Sequence, residues 1–144
     1  MKKSIAALLL GTFAGLAAAQ LTPVGTWRTF DEKTGDPKSE VAITEQGGVL
    51  SGRVGKLLRQ GADPAERCTQ CTDDRKDQPM LGLEIIRGGK KAEGKDLWEG
   101  GKILDPENGK EYRASYTPIE GGRKLEVRGY LGPFWRTQIW SRVN

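Results

Sequence analysis

Two cysteines three residues apart, Cys68 and Cys71, make the sharpest local motif in this chain. Such a pair can be a short-range disulfide, a redox dithiol whose thiol pKa is depressed at a helix N-terminus, or half of a zinc site. The neighbours decide among the three. Glu66, Asp73 and Asp74 disfavour a thiolate, and a Pro- and Asp-rich loop replaces the helix that a redox dithiol uses. Zinc would need two more Cys or His ligands, and the chain has no other cysteine and no histidine. A structural disulfide is the first reading, with the redox and metal readings behind it. The missing imidazole excludes a Ser-His-Asp triad, a Cys-His dyad, an HExxH zinc site, a c-type haem motif and a histidine pH switch.

Carboxylates are the remaining chemistry. Asp73, Asp74 and Asp77 lack the EF-hand register and its closing Glu, and read as a solvated acidic loop. Glu84, Glu99 and Glu126 fall in strand-like segments without the defined spacing of an acid/base pair. No nucleophile–base pair stands out, so neither an enzyme nor a cofactor is expected.

The elements that hold these residues are short. Turn signals recur at Lys33–Pro37, Gln46–Gly48, Gly88-Gly89, Asp105–Gly109 and Glu120–Gly122. Between them, β-branched and aromatic residues predict strands near 24–30, 39–46, 49–58, 80–87, 96–104, 110–117, 123–131 and 134–143. Tyr112, Ala114 and Tyr116 alternate with Arg113 and Ser115; Leu125, Val127, Gly129 and Leu131 alternate with Glu126, Arg128 and Tyr130. One apolar and one polar face suits an antiparallel sheet. Eight such strands joined mostly by tight turns point to an all-β, antiparallel, up-and-down eight-stranded β-barrel, with a two-sheet β-sandwich as the alternative. The irregular stretch 59–79, which holds both cysteines, is the expected lid.

Lys2 and Lys3, an apolar stretch from Ile5 to Leu16, and Ala17-Ala18-Ala19 have the order of a secretory signal cleaved before Gln20. Residues 20–144 then form the single domain, in a periplasmic or secreted protein with no stable membrane insertion after cleavage. The 23 Lys and Arg against 19 Asp and Glu include Lys2 and Lys3, so the formal charge falls from +4 to +2 once 19 residues are taken off 144 to leave 125. Nucleic acid is not an expected partner.

Gly25-x-Trp27 on the first strand and Arg142 on the last resemble the lipocalin and wider calycin signature. Trp27 would plug one end of the barrel under the Arg142 guanidinium, making Gly25, Trp27 and Arg142 scaffold residues. Beyond these, Lys76–Leu83, Trp98-x-Gly100-Gly101-Lys102-Ile103, Asp105–Lys110 with Tyr112, Leu125-x-Val127-Arg128-Gly129-Tyr130 and Thr137-Gln138-x-Trp140-x-Arg142 resemble domain-of-unknown-function family 2147, small bacterial secreted proteins. That resemblance implies a lipocalin-like barrel and brings no established activity. The resulting expectation is a small apolar or amphipathic ligand inside the barrel, lined by Ile43, Ile85, Trp98, Tyr112, Tyr116, Tyr130 and Trp140. The alternatives are an envelope protein-interaction module with a filled barrel, partner unknown, using the 59–79 loop and the Gly132-Pro133-Phe134-Trp135 corner, and a redox accessory protein acting through Cys68 and Cys71.

Overall fold

The computed structural model of the chain describes Gly11 and residues 21–144. The expected leader, Gly11 apart, and its cleavage point lie outside the described residues. Among the described residues nine strands succeed one another: β1 (Gly25–Phe30), β2 (Pro37–Gln46), β3 (Val49–Leu57), β4 (Glu84–Arg87), β5 (Lys90–Lys91), β6 (Trp98–Asp105), β7 (Lys110–Ile119), β8 (Lys124–Leu131) and β9 (Phe134–Arg142). Every neighbouring pair is antiparallel, in the order β4-β3-β2-β1-β9-β8-β7-β6-β5. Two short ladders complete the circle. β4 joins β6 through Ile86↔Ile103 and Arg87↔Lys102, and β1 joins β9 through Trp27↔Arg142 and Arg28↔Ser141. Eight strands therefore close a barrel, as expected, with the two-residue β5 as an extra rung on β6.

The strand read at 80–87 begins only at Glu84, because Met80–Leu83 belongs to the preceding irregular segment. That segment is correspondingly longer than 59–79: it runs 58–83. β4 also carries a register shift, with Gly52↔Ile86 followed by Arg53↔Glu84, which leaves Ile85 as the extra residue of a bulge.

Up-and-down connectivity sorts the connections to two ends. The lower end holds 21–24, 47–48, 88–97, 120–122 and the C-terminus; the upper end holds 31–36, 58–83, 106–109 and 132–133. Inside, Trp27, Val41, Ile43, Leu50, Ile86, Trp98, Tyr116, Leu125 and Trp140 are all at most 4% exposed. Alternation explains the selection: Trp27↔Val41, Tyr116↔Val127 and Leu125↔Trp140 are cross-strand pairs on the inner face.

Candidate ligand site at the open end of the barrel

The lower end is sealed. The Arg142 guanidinium lies 4.2 Å from the centre of the Trp27 ring. It donates to the carbonyl oxygens of Gly122 (2.6 Å), Val24 (2.8 Å) and Thr22 (2.7 Å). Trp27 Nε1 donates to the Pro23 carbonyl at 2.7 Å. Gly25 is required beside it: its φ of 142° is positive, and a Cβ there would run into the Arg142 guanidinium and the Asn144 carbonyl. Gly25, Trp27 and Arg142 thus meet at this end of the barrel.

The interior is graded from this seal upward. Its lower half is filled by Trp27, Trp98, Tyr116, Ile43 and Leu125. Trp98 and Tyr116 are cross-strand partners, and neither Trp98 Nε1 nor Tyr116 Oη has a hydrogen-bond partner among the described residues. Burial drives the Tyr116 phenol far above its ordinary pKa, so it stays protonated. Toward the upper end the inward positions become small or polar and half-buried: Ser39, Gly129, Gln138 and Tyr112, beside the buried Thr29. Thr29 and Ser39 join hydroxyls at 2.7 Å, and Trp140 Nε1 donates to Gln138 Oε1 at 3.0 Å. Large side chains thus form a floor under a partly open mouth.

Above Arg28, β1 and β9 no longer pair. Where they part, a groove of about 440 Å³ opens, lined by Phe30, Asp31 and Glu32 on one side and Arg136–Trp140 on the other. Its polar side chains are bonded to each other: Glu32 accepts from Gln138 Nε2 at 2.7 Å and from Arg136 Nη1 at 3.3 Å. Asp31 is held below its ordinary pKa by the backbone N–H groups of Thr34 and Lys33. An aromatic floor with a carboxylate, a guanidinium and an amide at the rim can accept an apolar body and orient a polar head.

The 58–83 segment straps over the other side of the upper end. Cys68 and Cys71 form a disulfide and are buried, so the pair is bonded rather than a free dithiol or zinc ligands. Gly109, at φ 74°, packs so closely on the Gln70 carbonyl that a Cβ would collide with it. The segment's polar anchor is Arg75, with a side chain only 3% exposed. It pairs with Asp73 (2.5 Å) and Glu111 (3.0 Å) and donates to the Glu84 carbonyl at 2.9 Å. Arg87 grips both Asp74 oxygens at 2.9 and 2.8 Å and binds Glu84 at 2.6 Å. The acidic loop read as solvated is accordingly ion-paired at Asp73 and Asp74. Hydrogen bonds from Arg75 hold the Asp73 carboxyl well below the ordinary range, and Arg87 does the same for Asp74. Burial opposes ionisation of Glu84, but hydrogen bonds from Ser51 and Arg87 outweigh it and lower its pKa. Alternation could not choose a side for Glu84; it points outward to Ser51 (2.6 Å) and Arg53 (3.4 Å).

The expected lining residues divide. Ile43, Trp98, Tyr116 and Trp140 are buried in the floor, Ile85 is buried at the β4 bulge, and half-buried Tyr112 stands at the mouth. Tyr130 is a correction. It lies on the outer wall, paired with Arg113 and Trp135, with the Arg113 guanidinium 5.8 Å from its ring and Ser115 Oγ 3.1 Å from its hydroxyl. Its own alternation with Glu126 and Arg128 was the available signal. Glu32, Arg136 and Gln138 were missed, since nothing local marks a charged residue as rim rather than surface.

An antiparallel eight-stranded barrel sealed by Gly-x-Trp and a closing-strand arginine is lipocalin-like. The chain is similar to the Helicobacter pylori protein HP1028, described as belonging to the lipocalin family, with a TM-score of 0.71 at 18% identity over 88% of this chain and 84% of that one. Residues 25–142 match the family described as "Uncharacterized protein conserved in bacteria (DUF2147)", and the chain belongs to that family. No curated protein matches it.

Proposed function

We propose that the protein is an exported, non-enzymatic carrier that takes one small amphipathic ligand end-on into the upper half of the barrel. The grading of the interior carries this reading: bulky aromatics fill the floor, while the inward positions above it are small or polar and half-exposed. An apolar tail would rest on Trp140 and Tyr112, and a polar head would meet Glu32, Arg136 and Gln138 at the groove. The leader-like N-terminus and the Cys68–Cys71 bond support export, since such bonds persist in oxidising compartments. No helix of the described residues is long and apolar enough to cross a membrane.

Gly129 supplies the test. It faces Tyr112, and a Cβ there would make ordinary contacts of 3.5 Å with Tyr112 Cβ. Gly129→Leu should leave the barrel folded while filling the mouth. Titration with a long-chain fatty acid, followed by tryptophan fluorescence and native mass spectrometry, should show one bound molecule and at least tenfold weaker binding in the variant, the equivalent of about 1.4 kcal/mol. A clean apo mass at saturating fatty acid, or equal binding by the variant, overturns the reading.

A further inference from the structure

The β8–β9 hairpin ends in an apolar wedge. Leu131, Phe134 and Trp135 are 69%, 74% and 60% exposed around the Gly132-Pro133 turn. Soluble surfaces rarely leave three large apolar side chains together at a protruding tip. What lies behind the tip is ordered. One residue back, on the outer wall, Tyr130 and Trp135 are cross-strand partners. The same row continues sideways through Arg113 on β7 and Lys102 on β6, each the register partner of the next. Among the described residues, neither Arg113 nor Lys102 has a carboxylate partner. Two residues further from the tip, roughly 7 Å along the strand, comes Arg128, with its guanidinium 5.9 Å from the Trp135 ring.

From the tip inward come apolar side chains and then amphipathic aromatic rings, with Arg113 and Lys102 beside the rings in the same row and Arg128, paired with Glu126, one step further back. A lipid surface offers the same levels: acyl chains, then the interfacial layer where Trp and Tyr reside beside the headgroup phosphates. A protein pocket could accept the wedge, but it would have no reason to present anions in a row beside it.

We propose that the β8–β9 tip docks the barrel reversibly on an anionic lipid surface, with Leu131 and Phe134 entering the acyl boundary, Tyr130 and Trp135 at the interface, and Lys102 and Arg113 on the headgroup phosphates. This is peripheral attachment by a loop, without a spanning segment. Because Arg136 and Gln138 of the groove lie directly beyond the tip on β9, docking brings the barrel mouth against the membrane. The docking stands independently of any ligand.

The test is co-sedimentation of the purified chain with vesicles of equimolar phosphatidylcholine and phosphatidylglycerol, and with vesicles of phosphatidylcholine alone. Variants are read against the native chain carrying the same N-terminus, so the difference isolates the tip. Binding should favour the anionic vesicles and weaken with salt. The double variant Leu131→Ser/Phe134→Ser should bind at least about tenfold more weakly. Lys102→Gln and Arg113→Gln should each cost about fivefold on anionic vesicles and little on neutral ones. Lipid brominated near the headgroup should quench native fluorescence more than that of Trp135→Phe. All these side chains are on the surface, and an unchanged thermal midpoint certifies the fold. Absence of vesicle binding, or equal binding by the tip double variant, overturns the proposal. So does a concentration-dependent dimer that the double variant abolishes without any vesicle binding, which would make a second copy the occupant.

Discussion

Replacing Arg142 probes the seal that turns a curled sheet into a barrel. The guanidinium serves three carbonyls from two places in the chain, Thr22 and Val24 before β1 and Gly122 before β8, while stacking on Trp27. Each bond from a charged donor is worth about 1.5–3 kcal/mol when enclosed. Arg142 is partly exposed, so solvent screening brings each down to about 1 kcal/mol. The stack contributes about 1 kcal/mol more. Arg142→Ala should therefore cost about 4 kcal/mol, or about 16 °C in Tm for a domain of this size. Arg142→Lys keeps the charge but loses the planar fork, so it serves one carbonyl and recovers only part of the deficit, leaving a cost of about 2 kcal/mol. Urea unfolding followed by tryptophan fluorescence measures both. A loss below about 1 kcal/mol in the alanine variant, or full recovery by lysine, would refute the clamp as the source of closure.

Asp73, Asp74 and Glu84 all have lowered pKa values, so their contribution is fully present above the unfolded carboxylate range, about pH 4, and is lost as pH falls through the lower folded values. Reduction of the buried Cys68–Cys71 bond by a phosphine should accelerate in that acid window before the barrel unfolds; a rate that stays flat to global unfolding contradicts the ion-paired strap. Gly109→Ala adds a collision with Gln70 to the roughly 1–2 kcal/mol cost of positive φ, whereas Gly35→Ala, at φ 77° with no neighbour in reach, carries the conformational cost alone. The urea midpoint of the first should fall further than that of the second, and equal shifts would mean that the strap does not rest on this turn.

Strand positions were legible because turn chemistry and period-2 alternation are local, whereas Gly25, Trp27 and Arg142 were singled out by their resemblance to the lipocalin signature. Tyr130 shows the cost of overriding alternation for an aromatic: its neighbours Glu126 and Arg128 already placed it outside. Glu84 shows where alternation itself stops, since the extra residue Ile85 breaks the two-residue period within β4. The strap was legible as a segment but not as a structure. Arg75 meets Glu111 and Arg87 meets Asp74 across distances that no spacing rule encodes. The mouth was hidden for a related reason, because Glu32 and Arg136 lie 104 residues apart and become neighbours only when the last strand returns beside the first.

That return carries a consequence for how the barrel is closed. β1 precedes every other described strand along the chain, yet one of its two ladders is with β9, the last of them. Without β9 the sheet has two raw edges, on β1 and β8, and its lower end lacks the Arg142 seal. The ladder that closes it is two residue pairs long. One of this barrel's shortest zippers thus joins its first described strand to its last, and a chain cut a few residues short of Arg142 would keep every other strand and lack the ladder that shuts it.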